Sequence, residues 1–304
     1  MSLRNADCRI LVRGLTLPFR NRHRVLYAVG ALTIFLTAIG SAFAATQWAR
    51  AAHEKALRSK PFPKEWERYL DKNVKLYASL PSPLQDELKG YINFFVATKH
   101  FEGAGGLEVT DEMRVTVAAL ACMLLLNRKT RNYPKLRTVI LYPSAYIADP
   151  ETDTVHLGES WNDGEVVLSW NHVTSSSQDL RDGTNLVLHE FAHRLDQEDG
   201  AGDGVPNLQT EAQYFTWAEV MSEEFKRLRS RVEKGYKTLI RPYGATNSAE
   251  FFACITENFF ERPHQLKKKH PEIYQELQTF YQLDPASWRE QESTYLDSPF
   301  KVKK

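Results

Sequence analysis

The segment His189-Glu190-Phe191-Ala192-His193 has the residue types and the spacing to do chemistry. Histidines four apart on a helix point the same way, so His189 and His193 can close on one cation from one helical face. Glu190 lies about 100° further round, close enough to take a proton from water at that ion. Two imidazoles and a carboxylate in this order form the arrangement by which zinc hydrolases activate water. The flanks support a working site over two solvated surface histidines. Leu186, Val187, Leu188, Phe191, Ala192 and Leu195 make this helix mostly buried, and burying two imidazoles and a carboxylate without partners is costly.

A catalytic zinc takes three protein ligands and keeps one position for water. Downstream donors are Asp196, Glu198, Asp199, Glu250, Glu257, His264 and His270. Asp196 follows His193 by three residues and suits a supporting hydrogen bond to a ligand histidine. Glu250 and Glu257, seven apart in the apolar run Glu250-Phe251-Phe252-Ala253-Cys254-Ile255-Thr256-Glu257, share one face of a buried helix. A buried carboxylate needs a cation or a donor. Spacing leaves open which of the two binds metal and which orients a histidine.

The elements that must position these groups are mostly helical. Helical spacing runs through Trp66, Tyr69, Leu70, Val74 and Tyr77, and again from Leu84 to Val96. Gly103 to Gly106 reads as a turn, and Thr110 or Asp111 caps a helix running through Met123 and Leu126. Val139-Ile140-Leu141-Tyr142 reads as a strand ended by Pro143. Gly158 to Gly164 reads as a turn before a second strand, Glu165–Trp170. Val166–Trp170 is expected to be either an edge strand that adds an extended peptide substrate to the sheet or an ordinary core strand. Further helices follow at Phe215–Leu228, Ala249–Phe260 and Pro271–Tyr281.

Composition sets limits. The 304 residues are 42% hydrophobic and 12% aromatic, enough for one large core or two small ones. A net charge of +1 carries no footprint of nucleic-acid binding, and Lys267–His270 and Lys301–Lys304 read as solvated surface. Cys8, Cys122 and Cys254 are odd in number and far apart, which excludes a disulfide framework and a cysteine-rich zinc site.

The N-terminal part differs in kind. Residues 1–24 form a basic leader, and residues 25–46 run uncharged for 22 positions, long enough to cross a bilayer as a helix. Tyr27 and Trp48 stand near its ends, as interfacial aromatics do. The long leader and the full length of the run favour a membrane anchor over a signal peptide cleaved at Ala42-Phe43-Ala44. The excess of basic residues before the segment leans to an inner N-terminus. Residues 47–61 read as a linker, 62–285 as the metallopeptidase domain and 286–304 as a tail.

Several separated segments together resemble a known family. They are His189–Asp196, Tyr243-Gly244-Ala245-Thr246 and Ala249–Ala253, with Pro61-Phe62-Pro63, Leu124–Asn127, Gly158–Trp161 and Val167–Trp170 in support. In this order they are similar to the Mlc titration factor A family of zinc metallopeptidases, over roughly residues 62–285. The resemblance implies an α+β, mostly helical fold with a zincin-like core, a small sheet packed on the His-Glu-x-x-His helix. It implies one Zn2+ per chain on His189, His193 and Glu250, with Glu190 as general base and Tyr243 facing the substrate carbonyl. The implied activity is aminopeptidase-like hydrolysis. The alternative is a binding protein that sequesters a transcriptional repressor, with zinc mainly structural. The characterised relative is cytoplasmic, whereas residues 25–46 point this chain to a membrane, the bacterial inner membrane being the expected one.

Overall fold

Between Thr46 and Arg58 the chain is rich in alanine and holds neither proline nor glycine, so nothing stops the apolar helix where a linker was expected. Helix α1 accordingly runs from Phe19 to Arg58 in the computed structural model, which describes residues 19–128, 132–147, 155–156, 158–161 and 164–288. The expectations for Cys8, most of the leader and the tail beyond Trp288 lie outside these residues. The stretch Gly30–Arg58 is long and apolar enough to cross a membrane, as a signal sequence also can be. Leu32, Ile34, Phe35, Leu36, Ile39 and Phe43 are all exposed along it.

The chain divides into two units, residues 1–55 and 56–304. The second opens with α2 (Lys64–Asn73), α3 (Lys75–Ser79), α4 (Ser82–Thr98), β1 (His100–Gly103) and α5 (Asp111–Met123). Strands β2 (Thr138–Tyr142), β3 (Tyr146–Ile147), β4 (Val155–His156), β5 (Gly158–Trp161) and β6 (Glu165–Ser169) follow. Then come α6 (Trp170–Ser176), α7 (Leu186–Asp196), α8 (Glu211–Glu233), α9 (Ser248–Glu261), α10 (Pro263–Lys269), α11 (Pro271–Tyr281) and α12 (Pro285–Trp288). The fold is α+β and mostly helical, as expected.

The main sheet has the order β1-β2-β6-β5, with β1, β2 and β6 parallel and β5 antiparallel to β6. Of the two roles expected for this segment, strand β6 takes that of a core strand: it is flanked on both sides and has no free edge for a peptide. One bound is corrected, since Trp170 opens α6 instead of ending the strand. The terminal strand beside it is β5, in the segment expected to be a turn; Gly158 pairs with Leu168 and Trp161 with Glu165. Four residues with a leading glycine give no alternating pattern, and only the partner's hydrogen bonds make them a strand. The same holds for β1, which the local pattern does not announce.

The core is organised around α5. Thr110 accepts from the Met113 amide and starts the helix, and every residue from Val115 to Met123 is buried. Helix α7 rests on this core through Phe191, whose ring lies 4.9 Å from Tyr133 and 5.9 Å from Phe95. That contact lies about 160–200° round the helix from His193 and His189, which turns both imidazoles away from the core. Asn185 caps α7 by accepting from the Leu188 amide. Its own amide and side chain donate to Glu257 and Glu261 of α9, locking the start of α7 to that helix. Helix α9 is capped in turn by Asn247, which accepts from the Glu250 amide.

One glycine is required by its surroundings. Gly204 has φ +85°, and a Cβ there would run into the Ser248 carbonyl. Its amide donates to Asp196 and its carbonyl accepts from the Trp217 indole, so it ties the ends of α7, α8 and α9 together. At the other end the domain continues past residue 285, because Ala286 is buried and its amide donates to the Tyr274 hydroxyl.

Candidate metal centre

Two helices bring three ligand atoms to one place. Helix α7 supplies His189 and His193 one turn apart, and the first turn of α9 supplies Glu250, its backbone held by the Asn247 cap. His189 Nε2 lies 2.9 Å from Glu250 Oε2, and His193 Nε2 lies 3.4 Å from the same oxygen. The two Nε2 atoms are 3.3 Å apart. Ligands at about 2.0–2.1 Å from a tetrahedral zinc stand about 3.3 Å from one another, so this triangle fits one such ion with small shifts.

A second group of donors, His189, Cys254 and Glu257, meets at the other face of the same imidazole. His189 Nδ1 is 3.5 Å from Glu257 Oε2 and 2.9 Å from Arg241 Nη2. Arg241 Nη2 also donates to both Glu257 oxygens, at 3.1 and 3.2 Å. The two groups differ in access and in charge. The Glu257 side chain is 0% exposed, whereas His193 and Glu250 keep 12% and 17% of theirs in solvent. A guanidinium already neutralises the buried group. The first triangle is therefore the one a catalytic ion and its substrate can reach.

The electrostatics follow from burial and from this crowding. Burial works against the Glu250 anion, but hydrogen bonds from His189 and His193 outweigh it and hold the carboxyl well below its usual range. Glu190 is buried next to the triangle, and that burial pushes its carboxyl up, partly offset by the two histidines. Such a carboxylate is a stronger base than one in water. Tyr243, in the 3-10 turn Pro242–Ala245, is 50% exposed with its ring 5.9 Å from that of His189. Burial and the nearby Glu250 raise its phenol, which keeps the O–H available to donate at neutral pH.

The remaining candidates go elsewhere. Asp196 spends both oxygens on the Gly204 amide; it lies near enough to His193 to be attracted by it, but among the described residues no hydrogen bond joins it to either imidazole. Asp199 accepts from the Ala201 amide, His270 sits 2.6 Å from Glu224, and His264 is exposed on α10. Glu198 lines a separate cavity. Arg241 had no sequence signal beyond its place two residues before Tyr243, since a single arginine fits no metal-site pattern. Cys254 is buried and also faces His189.

The profile of the family described as glucose-regulated metallo-peptidase M90 matches residues 46–282. An uncharacterized protein of Synechocystis is 38% identical over 265 residues, covering 84% of this chain and 96% of that protein. Proteins called Mlc titration factor A from Yersinia pestis and Yersinia pseudotuberculosis are 30% identical over 249 residues, covering 77% of this chain and 90% of theirs. The match takes in the His189–His193 helix, the Tyr243 turn and Glu250, the segments that carried the resemblance. This chain belongs to the glucose-regulated metallo-peptidase M90 family.

Proposed function

We propose that this metallopeptidase is a zinc enzyme of aminopeptidase type, with His189, His193 and Glu250 as ligands, Glu190 as general base and Tyr243 as the donor to the carbonyl oxygen. The observation that carries the reading is the triangle of ligand atoms, 2.9, 3.3 and 3.4 Å on its sides, with Glu190 buried beside it. Zinc supplies Lewis acidity, bringing the pKa of water that meets it toward about 7.

The protein's own groups do the rest. Glu190 takes the proton of the attacking water and delivers it to the leaving amine nitrogen. The Tyr243 phenol donates to the carbonyl oxygen as negative charge grows there, a contribution of about 3 kcal/mol in a buried site and less in one half exposed. Arg241 Nη2 now meets the Nδ1 lone pair at 2.9 Å; with zinc on Nε2 the imidazole proton would sit on Nδ1 and turn to Glu257 Oε2, 3.5 Å away, displacing that contact. Arg241 balances the Glu257 charge. Strand β5, terminal in the sheet and packed beside α7, offers the edge along which a peptide lies. Its four residues grip only a short stretch, which suits action at a chain end. Helix α1 anchors the enzyme in a membrane, because its large apolar side chains are otherwise exposed to water.

The relatives' name, Mlc titration factor A, favours a second reading in which the chain captures a transcriptional repressor and zinc mainly maintains the shape. One set of measurements separates the two. Glu190→Gln is expected to retain zinc and lose hydrolysis of short peptides, and Glu250→Ala to lose zinc by elemental analysis. Near-normal turnover by Glu190→Gln, or full zinc in Glu250→Ala, refutes the assignments. Repressor capture undiminished in Glu190→Gln would establish a role apart from hydrolysis.

A further inference from the structure

A cavity of about 270 Å3 lies where the residues after α5 and α7 meet α8 and α11. Arg128 and Glu198 face it, with Trp217 and Phe280 as apolar wall. The Arg128 guanidinium lies 4.1 Å from the Phe280 ring centroid, which holds it in place. Arg128 Nη1 and Glu198 Oε1 are each sealed from solvent, and neither has a hydrogen-bond partner among the described residues. They carry opposite charges and do not bond to each other. The two charges attract each other and Asn207 bonds the Glu198 carboxylate, so what is left unsatisfied is one N–H group and one carboxylate oxygen; a buried polar atom without a partner is expensive, and a donor and an acceptor on one cavity point to a ligand bearing both complementary groups. The volume is just under the roughly 300 Å3 at which sites for drug-sized ligands begin, so the ligand is small.

We propose that this cavity binds a free α-amino acid. Its carboxylate lies against the Arg128 fork, its ammonium donates to Glu198, and its side chain packs on Trp217 and Phe280. The site is independent of the metal centre and of the reaction proposed there, because it shares none of those residues.

Titration calorimetry of the full chain with L-leucine tests this. Saturable binding tighter than about 1 mM is expected. N-acetyl-leucine and leucinamide each lack one of the two charges and should bind at least about tenfold more weakly, as should leucine to Arg128→Gln and Glu198→Gln. Circular dichroism melts establish that the variants fold; if one does not, the two analogues on the wild-type chain decide. Binding must also survive a chelator. No leucine binding, equal affinity for the two singly charged analogues, or binding that disappears with the metal would each overturn the proposal.

Discussion

Replacing Glu257 by glutamine keeps its shape and removes its charge, which isolates what that charge does for His189. The carboxylate is fully buried on α9 and accepts from the Asn185 amide at 3.0 Å and from Arg241 at 3.1 and 3.2 Å. Its second oxygen stands 3.5 Å from His189 Nδ1. Both oxygens face donors, so either orientation of the new amide turns an NH2 group toward an N–H. Breaking a buried ion pair costs about 3–5 kcal/mol when the partner is left stranded. Here the Arg241 side chain is 32% exposed and can rehydrate, so the loss of one charge-assisted hydrogen bond, about 1.5–3 kcal/mol, is the better figure. In a unit of this size that lowers Tm by about 3–12 °C. Loss of the group that orients a metal-binding histidine should also weaken zinc by about 10–100-fold. Calorimetry of metal-free protein reads the first effect, and competition with a chromogenic chelator reads the second. Unchanged zinc affinity in a destabilised Glu257→Gln variant would refute the orienting role and leave Glu257 as the counter-charge of Arg241 alone.

Three further outcomes are expected. Tyr243→Phe should lower kcat by up to about 10²-fold with zinc content unchanged; an unaltered rate removes the phenol from the reaction. Phe191→Ala, which strips α7 of its contact with Phe95 and Tyr133, should cost about 3–5 kcal/mol in urea unfolding, and a much smaller shift would mean that the neighbouring rings close the gap. The hydrogen bond from His270 holds the Glu224 carboxyl below its ordinary value. A depressed carboxyl stabilises fully above its unfolded pKa of about 4.3, and that stabilisation is lost as pH falls through the folded value. The Tm gap between wild type and Glu224→Gln should therefore narrow as pH is lowered from 6 toward 3, and a gap independent of pH would contradict the pairing.

Chemistry confined to one helical turn was legible from residue order. The distance between His189 and His193 follows from the helical repeat, the apolar flanks announce that the helix is buried, and Thr110 marks the start of α5. These are local properties, decided by backbone geometry within a few residues. Local pattern had no way to rank Glu250 against Glu257: both lie on one buried face, and what separates them is that one meets Nε2 of His189 while the other meets Nδ1. Nor did it reveal Arg241, deflect Asp196 to the Gly204 amide, make strands of β1 and β5, or place β6 inside the sheet. Each of those depends on segments tens of residues apart being packed together, where a hydrogen bond or a charge is satisfied by whichever group the fold delivers. Residue order alone determined the paired imidazoles and the apolar N-terminal helix, because the helical repeat and hydropathy act over short range. The meeting of Glu250 with the two imidazoles, the place of Glu257 behind His189 and the terminal position of β5 among the described strands were set by tertiary packing, because a side chain's partner across the core is chosen by how the chain closes on itself.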